Sequence, residues 1–111
     1  MKLFSSAVVK HKLTFIRLKD CMDYLPLAAQ WAEDEWGYIR KKGVEYRKGV
    51  LNELSNDVYI GFYAGQPLAM FALLAKDIPT TRELMYVYVD KQYRGLGFGK
   101  QIIETAKQLA I

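Results

Sequence analysis

The period of apolar and polar positions changes along the chain, and each change marks an element. Leu13 to Leu18 (Leu-Thr-Phe-Ile-Arg-Leu) has the β-branched and aromatic content of a strand, which the polar cluster Lys19 to Asp23 ends. The period then turns helical. Asp23 is placed to cap a helix whose apolar positions Leu27, Ala28, Trp31 and Ala32 recur at helical spacing and which closes near Gly37. A second helix is predicted over Val44 to Leu54, with Val50, Leu51 and Leu54 on one side and lysines and glutamates on the other. Three apolar runs follow: Val58 to Ala64, Leu68 to Ala75 and Leu84 to Val89. Gly65-Gln66 before Pro67 joins the first two as an antiparallel hairpin, and Asp77 to Arg82, containing Pro79, makes a longer connection to the third. Tyr86-Val87-Tyr88-Val89 is apolar on both faces, which predicts a strand inside the sheet with a layer on either side. Finally Phe98, Ile102, Ile103, Ala106, Leu109 and Ala110 trace one face of a terminal helix. The order is β-α-α-β-β-β-α, an α/β (α+β) architecture of a central sheet flanked by helices.

With 111 residues and no repeat, low-complexity tract or linker, the chain is expected to form one domain over residues 1–111. Its apolar half (51%) and charged quarter (25%) suit a folded domain and exclude a disordered or fibrous one. The formal charge of +4 is gathered in Lys2, Lys10, Lys12, Arg17 and Lys19, all ahead of the first acidic residue, Asp20, and in Arg40-Lys41-Lys42. No helix face interleaves these charges with aromatics and no docking motif accompanies them, so nucleic acid is not expected as a partner. The one cysteine, Cys21, excludes an intramolecular disulfide and a four-cysteine zinc cluster, and reads as a reducing, cytoplasmic compartment. His11, the one histidine, sits between lysines and reads as solvated; no metal site is expected. No apolar stretch approaches the length that spans a bilayer, and Leu3 to Val9, broken by two serines and followed by Lys10-His11-Lys12, makes a poor secretion signal.

Chemistry concentrates in Gln92-Tyr93-Arg94-Gly95-Leu96-Gly97-Phe98-Gly99-Lys100, where a strand passes through glycines into a helix. Unpaired amides and the helix dipole make such a junction a phosphate site, and glycines let the ligand approach the backbone. Arg94 and Lys100 would add charge on either side of a diphosphate, and Gln92 would add amide hydrogen bonds. The dinucleotide fingerprint G-x-G-x-x-G fails, because counting from Gly95 its last position is Lys100. The nucleotide P-loop fails as well, since Gln101 follows Gly99-Lys100 and Arg94 stands where its first glycine belongs. What fits is Q-x-x-G-x-G, met by Gln92, Gly95 and Gly97, with a further glycine at Gly99. A purely structural reading, in which the glycines serve only a tight strand-to-helix turn, stands beside it.

Through Val87-Tyr88-Val89-Asp90-Lys91 and this turn, together with the element order, the sequence resembles the GNAT superfamily of acyl-CoA-dependent N-acetyltransferases. Glu35-Trp36-Gly37 is also similar to some bacterial members. The resemblance implies a mixed central sheet and acetyl-CoA as co-substrate. The pyrophosphate of coenzyme A would lie on Gln92, Tyr93, Arg94, Gly95, Leu96, Gly97, Phe98, Gly99 and Lys100. Its pantetheine arm would pair with the strand through Val87 and Val89, beside Tyr88. It further implies acetyl transfer to a primary amine through a tetrahedral intermediate.

That reaction needs a base for the ammonium proton, donors for the oxyanion and an acid for the thiolate. Glu83 is the candidate base, directly or through water; the ordinary alternative is a solvated carboxylate paired with Arg82 or a lysine. A strand amide near Val87, exposed by a bulge, is the candidate oxyanion donor. No acid is identified: Tyr86, Tyr88 and Tyr93 are near, but strand tyrosines usually pack. Cys21 has no activating partner and reads as incidental. Glu33, Asp34 and Glu35 read either as a solvated face or as an attraction for a cationic amine.

The resembled fold continues for a further strand and helix, which the 111 residues do not supply, so Leu84 to Val89 is expected to be an exposed apolar edge. A longer parent protein or a homodimer covering that edge is the structural expectation, and a non-catalytic acyl-CoA-binding or oligomerising remnant is the functional alternative.

Overall fold

Strands β1 (Thr14–Arg17), β2 (Val58–Tyr63), β3 (Gln66–Ala75) and β4 (Arg82–Val89) line up in the order β1-β2-β3-β4, each antiparallel to its neighbour. The computed structural model describes residues 11–76 and 81–110. Helices α1 (Leu25–Arg40) and α2 (Val44–Glu53) cover one face of the sheet, and α3 (Phe98–Leu109) covers the other. The element order is the predicted one. The expected mixed sheet is antiparallel throughout among the described residues, because every strand-to-strand step in them reverses direction. The connection Asp77 to Arg82 and the segment Leu3 to Val9 lie largely or wholly outside the described residues.

Three local expectations are corrected. The first helix is not capped by Asp23, which lies in a 3-10 turn (Met22–Tyr24); no side chain caps the helix, and Pro26 occupies its first turn, where a missing N–H costs nothing. Nor does it close at Gly37. It runs to Arg40 and ends on left-handed Lys41 (φ 55°), whose N–H bonds to the Gly37 carbonyl at 2.7 Å. Gly37 serves packing instead: a Cβ there would lie 2.3 Å from Glu33 Oε2. The hairpin turn is Ala64-Gly65, with φ of 51° and 80°, so Gln66 and Pro67 belong to β3.

β4 lies at the sheet edge and not inside it, with no strand on its outer side among the described residues. Apolar side chains on both faces do not require two neighbouring strands. Tyr86 and Tyr88 pack under the α1–α2 layer, and Leu84 and Val89 pack under α3, so two covered faces coexist with one open edge. On α3, Phe98, Ile102 and Ala106 are buried against Leu68, Phe71 and Leu73, whereas Ile103 and Leu109 at the predicted margins are exposed.

The α1–α2 layer is tied by a buried cation. Arg47 of α2, 6% exposed, donates from Nη2 to the Trp36 carbonyl at 3.0 Å and from Nε to Glu33 Oε1 at 3.5 Å. Removing it leaves a half-buried carboxylate without its cation and takes a donor from the Trp36 carbonyl, so Arg47→Ala is expected to lower stability by about 2–4 kcal/mol. Urea unfolding followed by circular dichroism measures this; a change below about 0.5 kcal/mol would show the contact to be dispensable.

Candidate functional site

β4 reaches the site with its register broken. Met85 pairs with Ala72 and Tyr88 with Met70, so three steps on β4 oppose two on β3. The extra residue is absorbed at Tyr86, which holds a left-handed φ of 55° that a tyrosine adopts only when its surroundings impose it. Those surroundings come from α1. Trp36 meets the Tyr86 ring edge-on, with centroids 5.5 Å apart, and Trp31 stacks on Tyr88 at 5.1 Å. Beyond the bulge Val87 is exposed at the edge. Asp90 N–H donates to Leu68 O at 2.7 Å, so by the alternation of an antiparallel ladder Val89 turns its own N–H and C=O outward.

The turn that follows is built by its own residues. The Asp90 carboxylate accepts from the Gln92 backbone N–H at 3.0 Å and starts a 3-10 turn, Lys91–Tyr93. Gly95 (φ 86°) and Gly97 (φ 88°) are left-handed; Gly97 is the residue ahead of α3, and no side chain caps that helix. The first amides of α3 therefore face outward with the positive end of the helix dipole behind them. A Cβ at Gly95, Gly97 or Gly99 would meet no atom within 4 Å, so the ground above the turn is open.

A cleft of about 270 Å³ lies between the outer end of β4 and the start of α3, lined by Glu35, Val87, Tyr88, Val89, Tyr93, Arg94, Gly95, Phe98 and Gly99. Eight of these nine are residues that the resemblance gives to the cofactor; the ninth, Glu35, reads in the sequence with Glu33 and Asp34 as a solvated face or an attraction for a cationic amine. Leu96, Gly97 and Lys100 line a second groove of about 500 Å³ on the other side of the turn, with Lys12 and Gln101. Gln92 is exposed and lines neither space; its part is the backbone bond to Asp90. Glu83 does not line the cleft, and its Oε1 pairs with Lys76 Nζ at 3.0 Å, both side chains nearly half exposed.

Arg94 is the main departure from expectation. It does not stand free beside the glycines. Its Nε donates to Val89 O at 2.7 Å, its Nη2 pairs with Glu35 Oε1 at 3.0 Å, and its guanidinium lies 5.3 Å over the Tyr88 ring. Tyr88 is thus sandwiched between Trp31 and Arg94; its phenol is raised above the ordinary value, chiefly by burial and next by Asp90, and stays protonated at neutral pH. The acidic run of α1 is divided among three partners. Glu33 goes to Arg47, Asp34 accepts from Gln30 Nε2 at 2.8 Å, and Glu35 goes to Arg94. One helical turn separates Trp31 from Glu35, and that spacing was the available signal that both approach the end of β4.

His11 and Cys21 stand outside the cleft. His11 Nδ1 lies 2.7 Å from the Tyr63 hydroxyl, so it is exposed yet hydrogen-bonded. The Cys21 thiol donates to Arg17 O at 3.3 Å and is raised by burial and by Asp20, which leaves it poorly nucleophilic. Among the described residues no group of three or more His, Cys, Asp or Glu side chains is arranged to hold a metal, and no helix is long and apolar enough to cross a membrane.

A model of the acetyltransferase (GNAT) family matches residues 20–111. No curated protein sequence matches the chain. Among solved structures, the fold is similar to a Mycobacterium tuberculosis protein crystallised in complex with CoA, at 20% identity and a TM-score of 0.69, over 87% of this chain and 57% of that one. It is also similar to a Staphylococcus aureus protein assigned to the GNAT family, at 18% identity and a TM-score of 0.70, over 90% of this chain and 91% of that one. A third similar structure is the N-acetylglutamate synthase of Neisseria gonorrhoeae complexed with coenzyme A and N-acetyl-glutamate, at 17% identity and a TM-score of 0.64, over 93% of this chain and 24% of that one. The chain thus spans little more than half of the first of these proteins and about a quarter of the third.

The three glycines of the turn divide by backbone. Gly95→Ala and Gly97→Ala force a side chain into left-handed φ and are each expected to cost about 1 kcal/mol. Gly99→Ala, in helical backbone with open space around it, is expected to be neutral or to stabilise by about 0.5 kcal/mol. Thermal unfolding of the three variants checks the split; equal losses at all three positions would contradict it.

Proposed function

The chain belongs to the acetyltransferase (GNAT) family, and on that premise we propose that it moves an acetyl group from acetyl-CoA to a primary amine of a small molecule or protein. One observation carries the reading: a bulged strand end with outward amides runs directly into a glycine-lined, uncapped helix start, and both line a single cleft. The open glycines and the amides of Phe98 and Gly99 suit a diphosphate, with Lys100 adding charge from the far side of the turn. Val89 offers its N–H to the pantetheine arm. Its carbonyl is already taken by Arg94, so strand pairing with the arm is one-sided there.

In this reading the amine nitrogen attacks the thioester carbonyl carbon of acetyl-CoA to give a tetrahedral intermediate, whose collapse breaks the carbon–sulfur bond and releases the CoA thiolate, which takes its proton from water. The Val87 amide, placed at the edge by the bulge at Tyr86, donates to the carbonyl oxygen as negative charge develops on it. The ammonium proton leaves first, through water, because Glu83 is held outside the cleft by Lys76. Glu83→Gln is therefore expected to lower kcat/KM by less than about tenfold, a water-relayed rather than direct contribution.

A non-catalytic acyl-CoA-binding role is favoured by one observation: the cleft carboxylate Glu35 and the candidate base Glu83 outside it are both already paired with cations. The open β4 edge also supports a homodimer. A second copy pairing along Arg82–Met85 would leave the Val87–Val89 half to the cofactor.

Release of free thiol from acetyl-CoA in the presence of a panel of amines, with Gly95→Asp as the control, separates these readings. Amine-dependent thiol release by the wild type, abolished by a carboxylate placed in the phosphate cradle, is the expected result. Calorimetric binding of acetyl-CoA without thiol release from any amine would favour the binding role, and no binding by the folded wild type would overturn both.

A further inference from the structure

We propose that Glu35 sets the affinity and selectivity of the cleft for phosphate-bearing ligands by occupying the Arg94 guanidinium in their place. The inference rests on the cleft being the acyl-CoA site. Among the described residues Glu35 is the one carboxylate that lines it, and its Oε1 lies 3.0 Å from Arg94 Nη2. Both side chains retain about two-fifths of their exposure, so an incoming anion can reach the pair from solvent.

Arg94 does not depend on Glu35 for its position. Nε is fixed to the Val89 carbonyl and the guanidinium plane lies over the Tyr88 ring, which Trp31 backs on its other face. When Glu35 is displaced, the guanidinium stays in the cleft with its remaining N–H groups preplaced for an anion, and a phosphate replaces one carboxylate with little reordering. In the free protein Glu35 neutralises this cation and adds negative potential beside the amides of α3. A neutral or weakly charged ligand cannot displace it. A diphosphate, carrying more charge and drawn by the helix start, can.

The alternative role for the same pair is a strut, in which Glu35 props the turn through Arg94 and its loss loosens the cradle. The two roles predict opposite signs. Calorimetric titration of the wild type, Glu35→Gln, Arg94→Gln and the double variant, with CoA and with pantetheine as probes, distinguishes them; circular dichroism confirms that each variant is folded, and Glu35→Ala is the second variant should the glutamine form not fold. The expected result is about fivefold tighter CoA binding by Glu35→Gln, unchanged pantetheine binding, and no such gain when Glu35→Gln is made in the Arg94→Gln background. Equal or weaker CoA binding by folded Glu35→Gln, or the same gain without Arg94, overturns the proposal while leaving the cofactor site intact. Failure of the wild type to bind CoA at all removes the cofactor reading itself and this inference with it.

Discussion

The packing of two tryptophans of α1 against two tyrosines of β4 is the contact on which the rest of the structure depends. Trp36 against Tyr86 holds a tyrosine in the left-handed region, and Trp31 against Tyr88 fixes the strand just past it. Without that layer nothing in the sequence of β4 would favour an extra residue between Met85 and Tyr88, and the strand would run on in regular register with its edge amides evenly spaced. The bulge turns Val87 outward. It also carries Val89 to the place where its carbonyl meets Arg94 and its chain enters the glycine turn. Arg47 stands behind this arrangement, since its bond to the Trp36 carbonyl anchors the end of α1 to α2.

A second consequence is electrical. The outward amides of α3, Lys100 and Arg94 make the turn attractive to anions, yet the chain spends an acidic residue of α1 on one of those cations. Exposed ion pairs are weak stabilisers, so the Glu35–Arg94 contact contributes little to holding the fold. Its weight lies in the cleft, where a neutralised guanidinium and a free one present different fields to a ligand.

The arrangement of elements was legible in the sequence because period and turn chemistry change together: the helical stripe Leu27-Ala28-Trp31-Ala32, the strand run Val58 to Ala64 and the glycine turn each state one structure. What misled was local chemistry overruled by packing. Asp23 is a good capping residue but the helix begins two residues later, at Leu25, with Pro26 in its first turn, and Gly37 looks like a stop yet makes room for Glu33. The run Tyr86 to Val89 looked like an interior strand because burial on two faces and hydrogen bonding on two edges leave the same apolar signature. At the site, backbone features were readable in Gly95, Gly97 and the strand before them. Side-chain pairing across 59 residues is not, so the Glu35 partner of Arg94 emerges only in the fold. For Glu83 the sequence allows either a base or a carboxylate paired with Arg82 or a lysine, and the fold brings Lys76 beside it.

Titration of the isotope-labelled chain with CoA, followed by backbone amide shifts in nuclear magnetic resonance, tests the central claim most directly. The account predicts that the largest shifts fall on the amides of Val87, Val89 and Gly95 to Gly99, with β1 and α2 unmoved. Saturable shifts confined to other elements, or no shifts from a folded chain, would contradict it.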